Sequence, residues 1–169
     1  MGRKHTPQKR ITKTERRIVA QLEHRVKTFP LSRDDSRKGE VHFNYLLLSH
    51  LRQWLEVRNK KIPSVDFFAE RFRPDLYVGS QHKRLCAVEC KKLKAFKSAK
   101  ARWKEGLSQA LVYSAKYKVV LLVLFDFTKD LRYYTALGRG NKPESTFATK
   151  LRRQSNVQII ALRPSDAQV

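Results

Sequence analysis

The chain has 169 residues, 41% of them hydrophobic, and carries 37 Lys and Arg against 15 Asp and Glu, a formal net charge of +22. Such a length suits one domain with a real core, and such a charge implies a polyanionic partner, nucleic acid before membrane, although ribosomal and nucleoid proteins share the signature. No run is apolar and long enough to span a bilayer, and the basic N-terminus lacks a signal peptide's apolar core, so an intracellular place, cytoplasmic or nucleoid-associated, is expected.

In chain order, residues 1–10 read as a polar, mobile basic arm. Thr12-Lys-Thr-Glu15 matches a capping box, in which side chains and backbone satisfy each other's donors at a helix start. Ile18, Val19, Leu22 and Val26 follow on one face, predicting a helix from Lys13 to Thr28 with Arg16, Arg17, Arg25 and Lys27 on its polar side. Pro30 ends it, and Leu31 to Lys38 is a charged linker. From Glu40 to about Arg58, Phe43, Leu47, Leu51, Trp54 and Leu55 form a second helical stripe. Ile62 to Phe72 reads as a strand, followed by two strands around Leu76 and Leu85–Cys90. A helix is predicted from about Ser98 to Lys116, then a continuous apolar strand from Val119 to Phe127, of the kind buried on both faces. Leu131 to Ala136 reads as a further strand, Pro143 to Arg153 as a short helix and Val157 to Leu162 as the last strand. The organisation expected is an arm and helix over 1–38 followed by the main domain over 39–169. Alternating strands and helices argue an α/β or α+β three-layer architecture.

Chemistry concentrates at Arg-Pro-Asp75-Leu-Tyr-Val and Leu85-Cys-Ala-Val-Glu89-Cys-Lys91-Lys. Alternation on a strand puts Glu89 and Lys91 on one face with Leu85 and Ala87, and Cys86, Val88 and Cys90 on the other. A charged pair within an apolar strand is costly unless paired or bound to metal. With Gly79-Ser80-Gln81 as the turn, a hairpin brings Asp75 close to Glu89. Two hard oxygen ligands suit Mg²⁺ or Mn²⁺ better than zinc. Lys91 beside them would orient the attacking water or help deprotonate it. The bland alternatives are an Asp in a turn and a solvated cross-strand pair.

Cys86 and Cys90 are about 13 Å apart along one strand, too far for a disulfide, and their spacing is no usual zinc pattern. Both read as buried packing thiols. After the motif strand, Lys92, Lys94, Lys97, Lys100, Arg102 and Lys104 form a basic run suited to salt-dependent, sequence-neutral phosphate contacts. Phe96 and Trp103 within it are candidates for base stacking, with core packing the better reading for Trp103.

Pro74-Asp75 followed by Glu89-Cys90-Lys91 resembles the PD-(D/E)XK nuclease superfamily, over roughly residues 39 to 127. The superfamily includes restriction endonucleases, archaeal Holliday junction resolvases and RecB-type nucleases. The resemblance implies a restriction-endonuclease-like three-layer domain, a central mixed sheet flanked by helices with the motif hairpin at its centre. It implies that Asp75, Glu89 and the Cys90 carbonyl hold the metal. Members often add a carboxylate from the first helix, and Glu40, three and seven residues before Phe43 and Leu47, is the candidate. A favourable acid at a helix N-terminus is the alternative. His42 is a rival, since RecB-type nucleases carry Gly-x-x-x-His here, whereas Gly39-Glu-Val-His42 is one residue shorter. Gln109 and Tyr113, four apart on one helix face, match the Gln-x-x-x-Tyr helix of RecB-type nucleases, where it lies near the active site and DNA.

The expected function is a metal-dependent deoxyribonuclease of replication, recombination or repair, with DNA as partner and Mg²⁺ or Mn²⁺ as cofactor. Its catalytic set would be Asp75, Glu89, Lys91, Glu40, Gln109 and Tyr113. A structure-selective resolvase would require a homodimer, since two symmetric nicks need two sites. The alternatives are a non-catalytic nucleic-acid-binding protein that retains the fold, and an RNA nuclease.

Overall fold

The computed structural model describes residues 11–58, 65–67, 74–80, 83–140 and 142–165. The predicted basic arm at 1–10 and most of the strand predicted over Ile62–Phe72 lie outside them. The elements are α1 (Lys13–Lys27), α2 (Glu40–Arg58), β1 (Val65–Phe67), β2 (Leu76–Ser80), β3 (Lys83–Leu93), α3 (Phe96–Ser114), β4 (Val119–Asp126), α4 (Arg132–Gly138), α5 (Pro143–Ser155) and β5 (Val157–Leu162). A 3-10 turn at Asp34–Arg37 interrupts the linker before α2.

The five strands form one mixed sheet in the order β1-β2-β3-β4-β5. β1, β2 and β3 pair antiparallel, and β3, β4 and β5 run parallel. One face of the sheet packs Cys86, Val88, Cys90, Leu121 and Val123 against Leu22 and Val26 of α1 and Phe43, Leu47 and Leu51 of α2. The other packs Ala87, Leu93, Val120, Leu122 and Leu124 against Ala99, Ala110 and Tyr113 of α3, Tyr133 of α4 and Leu151 of α5. The result is a three-layer α/β/α arrangement, and α1 belongs to the same core as the rest. β4 is buried along its whole length, as a strand covered by helices on both faces must be.

The predicted capping box is present at Thr12 and Glu15. Glu15 also takes the Lys118 ammonium at 2.6 Å, tying the start of α1 to the start of β4. Both cysteines are buried and free.

Three expectations are corrected. Residues Leu131–Ala136 are not a strand, because α4 begins at Arg132. Asp126, at the end of β4, accepts the backbone N–H groups of Tyr133 at 2.8 Å and Tyr134 at 2.9 Å through Oδ2. Those are first-turn donors with no partner inside the helix. Leu85 does not share a face with Ala87 and Glu89. The β2–β3 register slips between Val78 and Gly79, so that Val78 faces Cys86 while Gly79 faces Arg84, and Leu85 joins Cys86 in the α1/α2 core. Gly79 and Ser80 belong to β2 rather than to the turn, and Gly79 takes the irregularity at φ 155°.

Candidate active site

The site forms beyond the N-terminal end of β2, where β3 continues without it. The last paired residues are Leu76 on β2 and Val88 on β3, so β3 carries Glu89, Cys90 and Lys91 past the neighbouring strand. Asp75 stands at the start of β2 and fills the gap. Its Oδ2 accepts the Cys90 backbone N–H at 2.7 Å. On a strand the N–H and C=O of one residue point the same way, so the Cys90 carbonyl faces the same gap.

The Glu89 and Lys91 side chains share the α3 face of β3 beside this gap, and both are buried, at 2% and 4% exposure. Lys91 Nζ lies 2.7 Å from Glu89 Oε1, 3.6 Å from Glu105 Oε1 and 3.7 Å from Glu40 Oε1. Burial pushes the Glu89 carboxyl up, nearby Asp75 pushes it further, and Lys91 opposes both, leaving it at about 7. Burial likewise raises Asp75, against the pull of the Cys90 N–H and Lys91. For Lys91 burial works against the charge, but Glu89, Glu40 and Asp75 outweigh it and hold the ammonium above its ordinary value. Two buried carboxyls raised above their ordinary values beside a charged lysine are a pattern enriched at functional sites, and structural ion pairs share it.

Glu40 opens α2 and ties three elements together. Its Oε2 accepts the Lys92 backbone N–H at 2.8 Å and Arg102 Nη2 at 2.5 Å. Arg102 Nη1 in turn meets Glu105 Oε2 at 2.7 Å. His42, the rival, stands 3.7 Å from Asp35 Oδ1 and packs edge-on to Phe43. The structure thus brings Glu40, not His42, beside Lys91.

On α3, Arg102, Glu105, Gly106, Gln109 and Tyr113 recur at spacings of three and four, one stripe facing β3. Tyr113 is buried, and burial followed by Glu89 and Asp75 raises its hydroxyl. The buried Gln109 Oε1 accepts no hydrogen bond. Gly106 lets the Lys91 stem pass, since a Cβ there would meet Lys91 Cγ at 2.8 Å. Glu105 and Gly106 were not singled out from the sequence. The signal was present, one turn before Gln109 on the same stripe.

The basic run divides in two. Lys92 is committed internally: its Nζ donates to the Ser36 carbonyl at 2.6 Å and to the Lys38 carbonyl, and lies over the Phe43 and Phe127 rings. Arg102 is engaged by Glu40 and Glu105. Lys94, Lys100 and Lys104 are exposed, the last two on one face of α3. The Lys97 and Phe96 side chains lie outside the described residues. Trp103 packs 5.3 Å from the Tyr133 ring, in the core as expected.

Among the described residues, no three His, Cys, Asp or Glu side chains stand together as a ready metal cluster. A divalent ion in the gap would be held by Asp75, Glu89 and the Cys90 carbonyl, completed by water. That donor set is all oxygen and fits Mg²⁺ or Mn²⁺, which keep several waters. No helix among the described residues is long and apolar enough to cross a membrane. Comparison with known proteins returned no match, whether family model, curated protein or solved structure.

Proposed function

We propose that the chain is a metal-dependent deoxyribonuclease with a restriction-endonuclease-like domain. The observation that carries this reading is the meeting of Asp75, Glu89 and Lys91 at one gap in the sheet, from segments 15 residues apart along the chain. Asp75 and Glu89 hold the metal, with the Cys90 carbonyl between them. Bound there, the ion supplies Lewis-acid stabilisation of phosphate oxygens and a water acidic enough to attack near neutral pH.

The protein's own groups set the geometry. The Cys90 N–H fixes one Asp75 oxygen and leaves the other for the ion. Lys91, held between Glu89, Glu40 and Glu105, presents a fixed positive charge where a phosphate or its attacking water would stand. Glu40 positions this strand end through the Lys92 N–H and Arg102. Gln109 and Tyr113 line the α3 side and orient substrate or lysine. Lys94, Lys100 and Lys104 supply phosphate contacts outside the gap, and the +22 charge steers the polyanion towards them.

The test incubates pure protein with labelled linear duplex, single strand, four-way junction and RNA, in Mg²⁺, Mn²⁺ or EDTA, beside Glu89→Ala. Metal-dependent DNA cutting that the variant loses supports the reading. Cutting of RNA alone makes it a ribonuclease. Binding without cutting in every condition rejects catalysis and leaves a nucleic-acid-binding protein that retains the fold.

A further inference from the structure

At the far edge of the sheet from the motif hairpin lies a groove of ≈ 970 Å³ whose floor is β5. Phe29 and Leu31, beyond α1, form one wall, and Tyr134 and Leu137 of α4 form the other. Consecutive residues Ile159 to Leu162 all line it, which happens when a strand is approached along its edge rather than across a face.

That edge is open. Among the described residues β5 pairs with β4 and with no other strand. Val120 is registered with Val157, and its N–H donates to the Asn156 carbonyl at 3.0 Å. Backbone groups alternate sides along a strand, so those of Asn156, Gln158 and Ile160 turn to β4. Those of Val157, Ile159 and Ala161 turn outwards, and the last two meet the groove. The floor therefore offers a row of strand donors and acceptors between two apolar walls. Beyond it, the Ser165 N–H donates to the Leu31 carbonyl at 2.8 Å and closes that end.

The charges around the groove select the occupant. Among the described residues, Lys27, Arg139 and Arg163 line it and no carboxylate does. Lys27 shares a surface pair with Glu23, and Arg163 lies over the Tyr134 ring at 5.3 Å. A strand laid on the edge would point alternate side chains at the two walls, and each set would meet apolar surface and a cation. A second copy of this chain fits poorly. Its own edge strand, Val-Gln-Ile-Ile-Ala-Leu, carries no acid, and each copy brings a charge of +22. Nucleic acid would use the cations but not the alternating backbone groups or the apolar walls.

We propose that this groove docks an extended acidic peptide segment of a partner protein, added as a sixth strand beside β5. The test uses the full chain, ¹⁵N-labelled, titrated with a short blocked peptide alternating Glu and Val, the Lys–Val counterpart and a short poly-dT. The expected result is that the Glu–Val peptide alone slows amide exchange at Ile159 and Ala161. Arg163→Glu should weaken its binding by about tenfold or more, with melting unchanged. Ile159→Pro, which removes an outward donor at an edge where proline is tolerated, should do the same. If that variant fails to fold, the Arg163 reversal still decides. Equal binding of the Lys–Val peptide overturns the proposal, as does unchanged exchange at both amides. So does poly-dT acting on the same amides, or a dimer in which this edge is already protected.

Discussion

The Asp75 carboxylate accepts the Cys90 backbone N–H at 2.7 Å, across a gap just before β2 begins, where β3 runs on unpaired by it. One side chain thus does the work of a missing strand and, at the same time, places a carboxylate beside Glu89.

This double duty separates two substitutions. Asp75→Asn keeps an acceptor for Cys90 but loses the charge; cleavage should fall by about 10²–10³ or more while stability holds. Asp75→Ala removes both, and the orphaned N–H should cost a further ~1–3 kcal/mol in denaturant melts. DNA retention in a gel shift should survive both changes. Wild-type nicking rates in Asp75→Asn would reject the metal-holding role.

The pH dependence follows from Glu89. Its carboxyl titrates at about 7 in the fold, above its ordinary 4.5, so folding favours the protonated form. In the metal-free protein that contribution is complete below about 4.5 and is lost as pH rises through about 7. The raised Asp75 adds with the same sign. Metal competes with the proton, so the Tm gain on adding Mg²⁺ should grow from pH 6 to pH 8. Glu89→Gln should flatten both trends. A Mg²⁺ gain independent of pH in the wild type would contradict this account.

Gly106→Ala puts a Cβ 2.8 Å from Lys91 Cγ and 2.9 Å from Leu122 Cδ1. Alanine's helix preference is worth about 1 kcal/mol, but overpacking of this kind costs ~1–3 kcal/mol. The expected net result is a lower unfolding midpoint and a displaced Lys91, with cleavage reduced more than DNA binding. A stabilised, fully active variant would show that the close approach is not required.

The lysines of the basic run should behave differently. Lys92→Ala frees the Ser36 and Lys38 carbonyls, and the main effect should be on stability, by ~1–3 kcal/mol. Lys94→Ala and Lys104→Ala should leave melting unchanged and reduce the salt slope of DNA binding by about 1 each. Fluorescence anisotropy across a salt series distinguishes the two classes.

Local signals in the sequence were sufficient for most elements. The Thr12–Glu15 capping box, the Phe43/Leu47/Leu51 stripe and the apolar run of β4 each depend on neighbours within a few residues, where chain geometry already dictates the outcome. The strand alternation that paired Glu89 with Lys91 is of the same kind, and their 2.7 Å contact follows it. Leu131–Ala136 shows where this stops. Tyr-Tyr-Thr has strand character, yet Asp126 caps the segment into a helix from across a loop, and Leu131 takes φ 44° at its start. The slip between Val78 and Gly79, which moved Leu85 to the other face, is likewise settled by pairing with another strand.

The sequence by itself determined which residue types could do chemistry and which face of their own element they occupy, because helical and strand periodicities are local. Tertiary structure alone decided which of them meet. It set Glu40 rather than His42 beside Lys91, brought Glu105 and Gly106 to the site, and engaged the half-buried Lys92 and Arg102 in ties between elements. Those outcomes depend on how α2, β3 and α3 pack together. Burial and like charge at the junction then shift the carboxylates, an effect that no single segment contains.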